Sequence, residues 1–121
     1  MKSDLFDEQF LYHISSQTDL TAAKIQGSYQ AASLNTEGFI HCSFQRQILK
    51  TANRFYRNKS GLVMLKIDEE KLKSEIRIEA APDGELFPHI YGKINLDSIV
   101  DTLSLEPDLN GDFKKLPEGC I

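Results

Sequence analysis

The chain has 121 residues, 40% of them hydrophobic and 26% charged, with a formal net charge of −4. These values fit one ordinary globular domain and exclude an intrinsically disordered chain. The acidic balance argues against nonspecific DNA or RNA binding, which needs clustered Lys and Arg. No apolar run approaches the roughly 18 residues of a membrane-spanning helix.

Residues 1–8 are acidic and polar, unlike a secretory leader. Phe10, Tyr12 and Ile14 then alternate with Leu11, His13 and Ser15, the period of a strand. Residues 18–26 follow as a short helix, with Thr18 as N-cap, Leu20, Ala23 and Ile25 as apolar members and Gly27 as the stop. Residues 29–34 form a short extended piece, and Asn35-Thr36-Glu37-Gly38 has the composition of a turn. Residues 39–43 read as a buried strand, and Ser43 can cap a helix over 44–57. Phe44, Ile48, Ala52 and Phe55 recur at three- and four-residue steps and form its inner stripe. Arg46, Lys50, Arg54, Arg57 and Lys59 lie in the same stretch, either as a solvated face or as partners for a phosphate.

Residues 62–67 are apolar at nearly every position, so this strand is expected to be central, with both faces covered. A helical turn at 68–73 leads to a strand at 75–80, where Ile76, Ile78 and Ala80 alternate with Arg77 and Glu79. Pro82-Asp83-Gly84 opens a loop that ends in Phe87-Pro88-His89-Ile90-Tyr91-Gly92. Residues 94–105 form a further helix or strand. The whole is expected to be one α+β domain around a split, mostly antiparallel sheet with short flanking helices. Its core spans about 8–106, and 107–121 form a polar C-terminal tail. Cys42 lies in an apolar strand and Cys120 in that tail, so no disulfide is expected and a reducing cytoplasm is the natural setting.

Three histidines carry the chemical argument. His13 points away from the Phe10–Tyr12–Ile14 face of its strand, and His41 shares a side with Phe39 and Ser43, so His13, His41 and Ser43 can line one cleft. His89 follows Pro88, which stiffens the segment that presents it. Imidazole titrates near neutrality and can donate or accept, which suits an acid–base or ligand-holding site. Each histidine could instead satisfy a hydrogen bond inside the core. A metal is not expected, since no carboxylate or cysteine stands at ligand spacing to the histidines. Glu79 lies inside a strand opposite its apolar side, either as a site carboxylate or as the ion-pair partner of Arg77 or of a cross-strand lysine. Tyr91 offers a ring for stacking, and Gly92 permits a close backbone approach.

Tyr12-His13-Ile14, Ser33-Leu34 and Glu37-Gly38-Phe39-Ile40-His41-Cys42-Ser43 form a series of signatures. Gln47, Ala52-Asn53-Arg54-Phe55-Tyr56, Leu65-Lys66-Ile67-Asp68 and Phe87-Pro88-His89-Ile90-Tyr91-Gly92 continue it. Together they resemble the bacterial family known as domain of unknown function 952, over roughly residues 10–105. That resemblance implies the ADP-ribosyltransferase-like fold, whose split sheet binds NAD in a cleft, and is similar to its RNA 2′-phosphotransferase branch. It implies His13, Ser43 and Tyr91 as ligand-binding residues and His41, Glu79 and His89 as catalytic ones. NAD is then the expected substrate, and a small nucleotide-like molecule the expected partner. No membrane is expected as a partner, and a protein partner is left open. The expected activity is transfer or hydrolysis of an ADP-ribosyl group. The alternative is a non-catalytic module that binds a metabolite or a protein on the same fold.

Overall fold

The computed structural model describes residues 9–119. The expectations for residues 1–8 and for Cys120 therefore lie outside the described residues. All strand pairings among the described residues are antiparallel, and they fall into three small sheets. The first is β1 (Phe10–Ser16), β4 (Leu62–Asp68) and β8 (Ile99–Leu105), with β4 in the middle. The second pairs β2 (Ser28–Tyr29) with β7 (Ile94–Asn95). The third is β3 (Ile40–His41), β6 (Leu86–Tyr91) and β5 (Glu75–Ala80), with β6 central. Three short helices complete the α+β domain: α1 (Gln17–Gln26), α2 (Ala32–Thr36) and α3 (Ile48–Phe55).

β4 is apolar at five of its seven positions and both of its faces are covered, as its sequence predicts. On one side Leu11, Leu65 and Ile67 pack with Leu20 and Ala23 of α1, with Tyr29 and Ile94 of the second sheet, and with Ile40 and Ile90 of the third. On the other side Tyr12 and Met64 meet Ile48 of α3, while Ile14 and Leu62 meet Ala52. Phe113 joins this second cluster and is 2% exposed. Asn53 holds the Phe113 backbone at both its N–H and its carbonyl. The stretch after Leu105, expected as a polar tail, is thus anchored to α3 by one aromatic residue.

α1 begins at Ser16, whose hydroxyl accepts from the Asp19 N–H, so the cap lies two residues before the expected Thr18. Gly27 ends it in the left-handed region (φ 89°), as glycine does at helix C-termini. Ile25 is solvent-exposed and not part of the inner face. Residues 29–34 are not one extended piece: β2 ends at Tyr29 and α2 begins at Ala32.

The predicted helix over 44–57 is a 3-10 turn at Gln45–Gln47 followed by α3. Ile48 and Ala52 are buried as expected, but Phe55 is 61% exposed. The 3-10 turn advances about 120° per residue against 100° in an α-helix, which rotates everything after it out of the extrapolated stripe. Residues 87–92, expected as a loop, belong largely to β6. Pro88 leaves the β5 ladder intact; on the β3 side it cannot donate, and β3 ends at His41. Its carbonyl still accepts from the Cys42 N–H at 3.1 Å. Gly92 (φ 150°) is needed for its own fold: a Cβ there would come within 2.5 Å of Ser74 Oγ.

Candidate functional site

The first and third sheets meet at Tyr12 and Ser43, whose backbones exchange hydrogen bonds of 2.9 and 2.8 Å. Beyond that bridge the sheets diverge and leave a cleft of about 910 Å³. A volume near 900 Å³ lies in the range of small-molecule sites. His13, Phe39, His41, Ser43 and His89 line it together, with Lys50, Arg54, Phe55 and Lys59 on the α3 side.

His13 forms the floor. It is 7% exposed, and Nδ1 lies 2.6 Å from the His41 carbonyl oxygen while Nε2 lies 2.9 Å from the Tyr29 hydroxyl. A carbonyl can only accept, so Nδ1 carries the proton. Burial pushes the His13 pKa down to about 4, which keeps the ring neutral near pH 7 and makes Nε2 an acceptor. The Tyr29 hydroxyl lies between Nε2 and Ser15 Oγ, 2.9 and 2.8 Å away. Burial likewise drives the Tyr29 hydroxyl to a raised pKa, so it stays protonated. His13 therefore ties the carbonyl of β3 to the first sheet, with both ring nitrogens engaged.

The wall is built by strand alternation on the third sheet. Ile40, Ile76 and Ile90 turn inward to the core. His41, His89 and Arg77 lie opposite one another on the outer face, with Glu79 opposite Phe87 and Glu75 opposite Tyr91. Phe39 stacks on His89 with ring centroids 4.1 Å apart and meets His41 edge-on at 4.8 Å. The two imidazoles are themselves 5.3 Å apart, close to perpendicular. Each has a carboxylate partner: His41 Nε2 is 3.0 Å from Glu37 Oε2, and His89 Nδ1 is 2.9 Å from Glu79 Oε1. The Tyr91 hydroxyl also donates to Glu79, at 2.5 Å. These bonds from Tyr91 and His89 hold the Glu79 carboxyl below the usual glutamate range.

The α3 rim is cationic but not free. Lys50 pairs with Glu85 at 2.6 Å and Arg54 with Asp83 at 3.9 Å, both on the β5–β6 turn. Lys59 lies over the Tyr56 ring. Arg57 turns away to Asp112, so the basic stretch divides between the cleft and the far surface. Gln47 fixes the rim from beneath: it is buried, donates to the Leu86 carbonyl at 2.7 Å and accepts from the Phe44 N–H.

Of the residues singled out from sequence, His13, His41, Ser43 and His89 share the cleft. Ser43 is buried, with its hydroxyl 3.4 Å from that of Thr51. Glu79 and Tyr91 do not line the cleft; they stand behind His89 on the same sheet face. The expected ion pair of Glu79 with Arg77 is not formed. Arg77 pairs with Glu75 at 3.1 Å and lies 4.1 Å over the Tyr91 ring, which occupies the face expected for stacking. Sequence reading gave no roles to Phe39, Glu37 and Tyr29. The Glu37–His41 spacing of four and the shared strand phase of Phe39 and His41 were available signals. Nothing local points from His13 to Tyr29.

The family model described as Protein of unknown function (DUF952) matches residues 14–102. The chain belongs to this family. The match begins just after His13, short of the expected residue 10. Among solved structures, the DUF952 chain is similar to the crystal structure of protein CC0527 from Caulobacter crescentus. The two are 31% identical with a TM-score of 0.79, over 87% of this chain and 93% of that one. A double-mutant crystal structure of CC0527 gives 30% identity and a TM-score of 0.78, over 87% and 93% of the two chains. The solution structure of CC0527 gives 30% and 0.76, over 88% and 93%. No functionally curated protein matches. Among the described residues no helix is long and apolar enough to cross a membrane.

Proposed function

We propose that the cleft binds NAD or an ADP-ribose derivative, and that the diverging sheets represent the ADP-ribosyltransferase-like arrangement. The observation that carries this is the pairing of an aromatic wall with a cationic rim across one cavity. Phe39, His41 and His89 offer ring faces to a base or nicotinamide, while Lys59, and Lys50 and Arg54 by exchanging their Glu85 and Asp83 partners, can meet a diphosphate. His13, with both nitrogens engaged, supports the site from below by fixing the β3 backbone. The cytoplasm, where such nucleotides are abundant, is the setting we assign.

Thermal-shift measurement with NAD and ADP-ribose tests this, because a ligand that binds the folded state stabilises it by mass action. A rise in melting temperature at millimolar ligand, reduced in Lys50→Ala and Arg54→Ala, is expected. No shift with either compound would remove the proposal.

A second reading, a binding module without ADP-ribosyl chemistry, is favoured by Glu79. Cleaving the nicotinamide–ribose bond develops positive charge on the ribose, and a carboxylate that stabilises it must face the ligand. Glu79 is instead engaged by His89 and Tyr91. Binding of NAD without release of nicotinamide is the expected result under that reading.

A further inference from the structure

We propose that His41 and His89 form an acid–base pair that hydrolyses a nucleotide phosphodiester held in the cleft. This rests on the nucleotide-binding reading above and adds a reaction to it. Two histidines face each other across the β3–β6 pair, each held by its own glutamate, and both line the same cavity. His41 uses Nε2 on Glu37, which leaves Nδ1; His89 uses Nδ1 on Glu79, which leaves Nε2. The rings are 5.3 Å apart, a separation that one phosphoryl group can bridge through hydrogen bonds of about 2.8 Å.

Two acid–base groups at one phosphorus select a class of substrate. A phosphate leaving from an anhydride departs as a stable anion and needs no proton. A ribose oxygen leaving from a diester departs as an alkoxide and does need one. The pair therefore fits a diester whose leaving group is a sugar hydroxyl. On the opposite rim Lys59, and Lys50 and Arg54 on leaving Glu85 and Asp83, supply charge to the phosphate oxygens.

The step balances with water alone. His41, the more open of the two with 54% of its side chain exposed, takes a proton from the attacking water at Nδ1. His89, 12% exposed, enters protonated and gives its Nε2 proton to the leaving ribose oxygen. A P–OH bond forms, the P–O(ribose) bond breaks, and one proton returns from His41 to His89 through solvent. Glu79 is a positioning residue. It accepts from Nδ1–H and fixes the ring, and Tyr91 anchors Glu79 in turn. Phe39 lies flat on the His89 ring and limits its rotation.

Adenosine 2′,3′-cyclic phosphate is the probe, with hydrolysis to the monophosphate followed by ³¹P NMR and binding followed by thermal shift. Wild-type protein should hydrolyse it with a bell-shaped pH profile. His41→Ala and His89→Asn should each lower kcat/KM by on the order of 100-fold or more while keeping the thermal shift. His41 is exposed, so its replacement leaves the fold intact even where His89→Asn is unstable. Glu79→Gln should give a smaller loss together with a displaced limb of the pH profile, which a purely structural role would not move. A thermal shift with no hydrolysis above buffer would overturn the acid–base pair and leave nucleotide binding standing. Hydrolysis that persists in His41→Ala would overturn the pair as well. Absence of both shift and hydrolysis would remove this proposal and the binding proposal together.

Discussion

His13 couples the fold to pH in a way that can be worked out before measurement. Burial holds its folded-state pKa at about 4, against an unfolded value of 6.5. The unfolded chain takes up a proton as pH falls below 6.5, and the folded chain does not until about 4. Stability from the neutral, buried ring is therefore full above the unfolded pKa and is lost progressively as pH falls between the two values. Linkage puts the loss at about 2 kcal/mol by pH 5 and about 3 kcal/mol by pH 4. Desolvation explains why the ring resists protonation: it is buried between the His41 carbonyl and the Tyr29 hydroxyl, where an imidazolium would lose its hydration. Guanidinium unfolding at pH 7.5, 6 and 5, compared with His13→Asn, isolates the effect. The asparagine amide can still donate to the His41 carbonyl but does not titrate. The difference in stability between the two proteins should narrow by about 2 kcal/mol from pH 7.5 to pH 5. A difference that stays constant within about 0.5 kcal/mol would refute the buried, neutral assignment. Direct titration of the His13 ring by NMR would check the same point, with the Nδ1–H tautomer expected throughout the neutral range.

Further substitutions test the packing and the rim. Ile48→Ala should cost about 3 kcal/mol in chemical denaturation, since Ile48 is fully buried between α3 and the first sheet. Phe55→Ala should cost less than about 1 kcal/mol because the ring is largely exposed, while weakening ligand binding at the cleft wall. Gln47→Ala should cost roughly 2 kcal/mol, since it leaves the Phe44 N–H and the Leu86 carbonyl without their side-chain partner. Gly92→Ala should lower the melting temperature through contact with Ser74 Oγ, and a Ser74→Gly background should recover part of the loss.

Periodicity carried the sequence reading wherever a single regular element decided the answer. The β1 phase that turns His13 away from Tyr12 and Ile14 is a consequence of period two, and the central place of β4 follows from its continuous apolar run. It failed where elements change type within a few residues. Phe55 falls out of its stripe because the 3-10 turn at Gln45–Gln47 resets the helical phase. β6 was obscured by Pro88, which ordinarily argues against a central strand. What the local sequence does not carry is that β3 ends at His41, so that the missing N–H costs the sheet only one bond at its end.

The candidate site follows the same division. The outer phase of His41 is local information, but that of His89 is hidden while its segment reads as a loop, and their meeting depends on the β3–β6 register, which pairs them directly. The partner of His13 depends on a further step, the packing of Tyr29 from the second sheet against β1. These long-range contacts also distribute the roles of the histidines. His13 has spent both nitrogens within the fold, whereas His41 and His89 have each spent one, on carboxylates that lie on the open face of their sheet. A ring with both nitrogens engaged can hold a backbone in place but has none left to exchange a proton with a ligand. Of the three histidines, only those of the β3–β6 pair keep a ring nitrogen for proton exchange with a ligand. Substitutions at His13 should act on stability, and those at His41 should act on function.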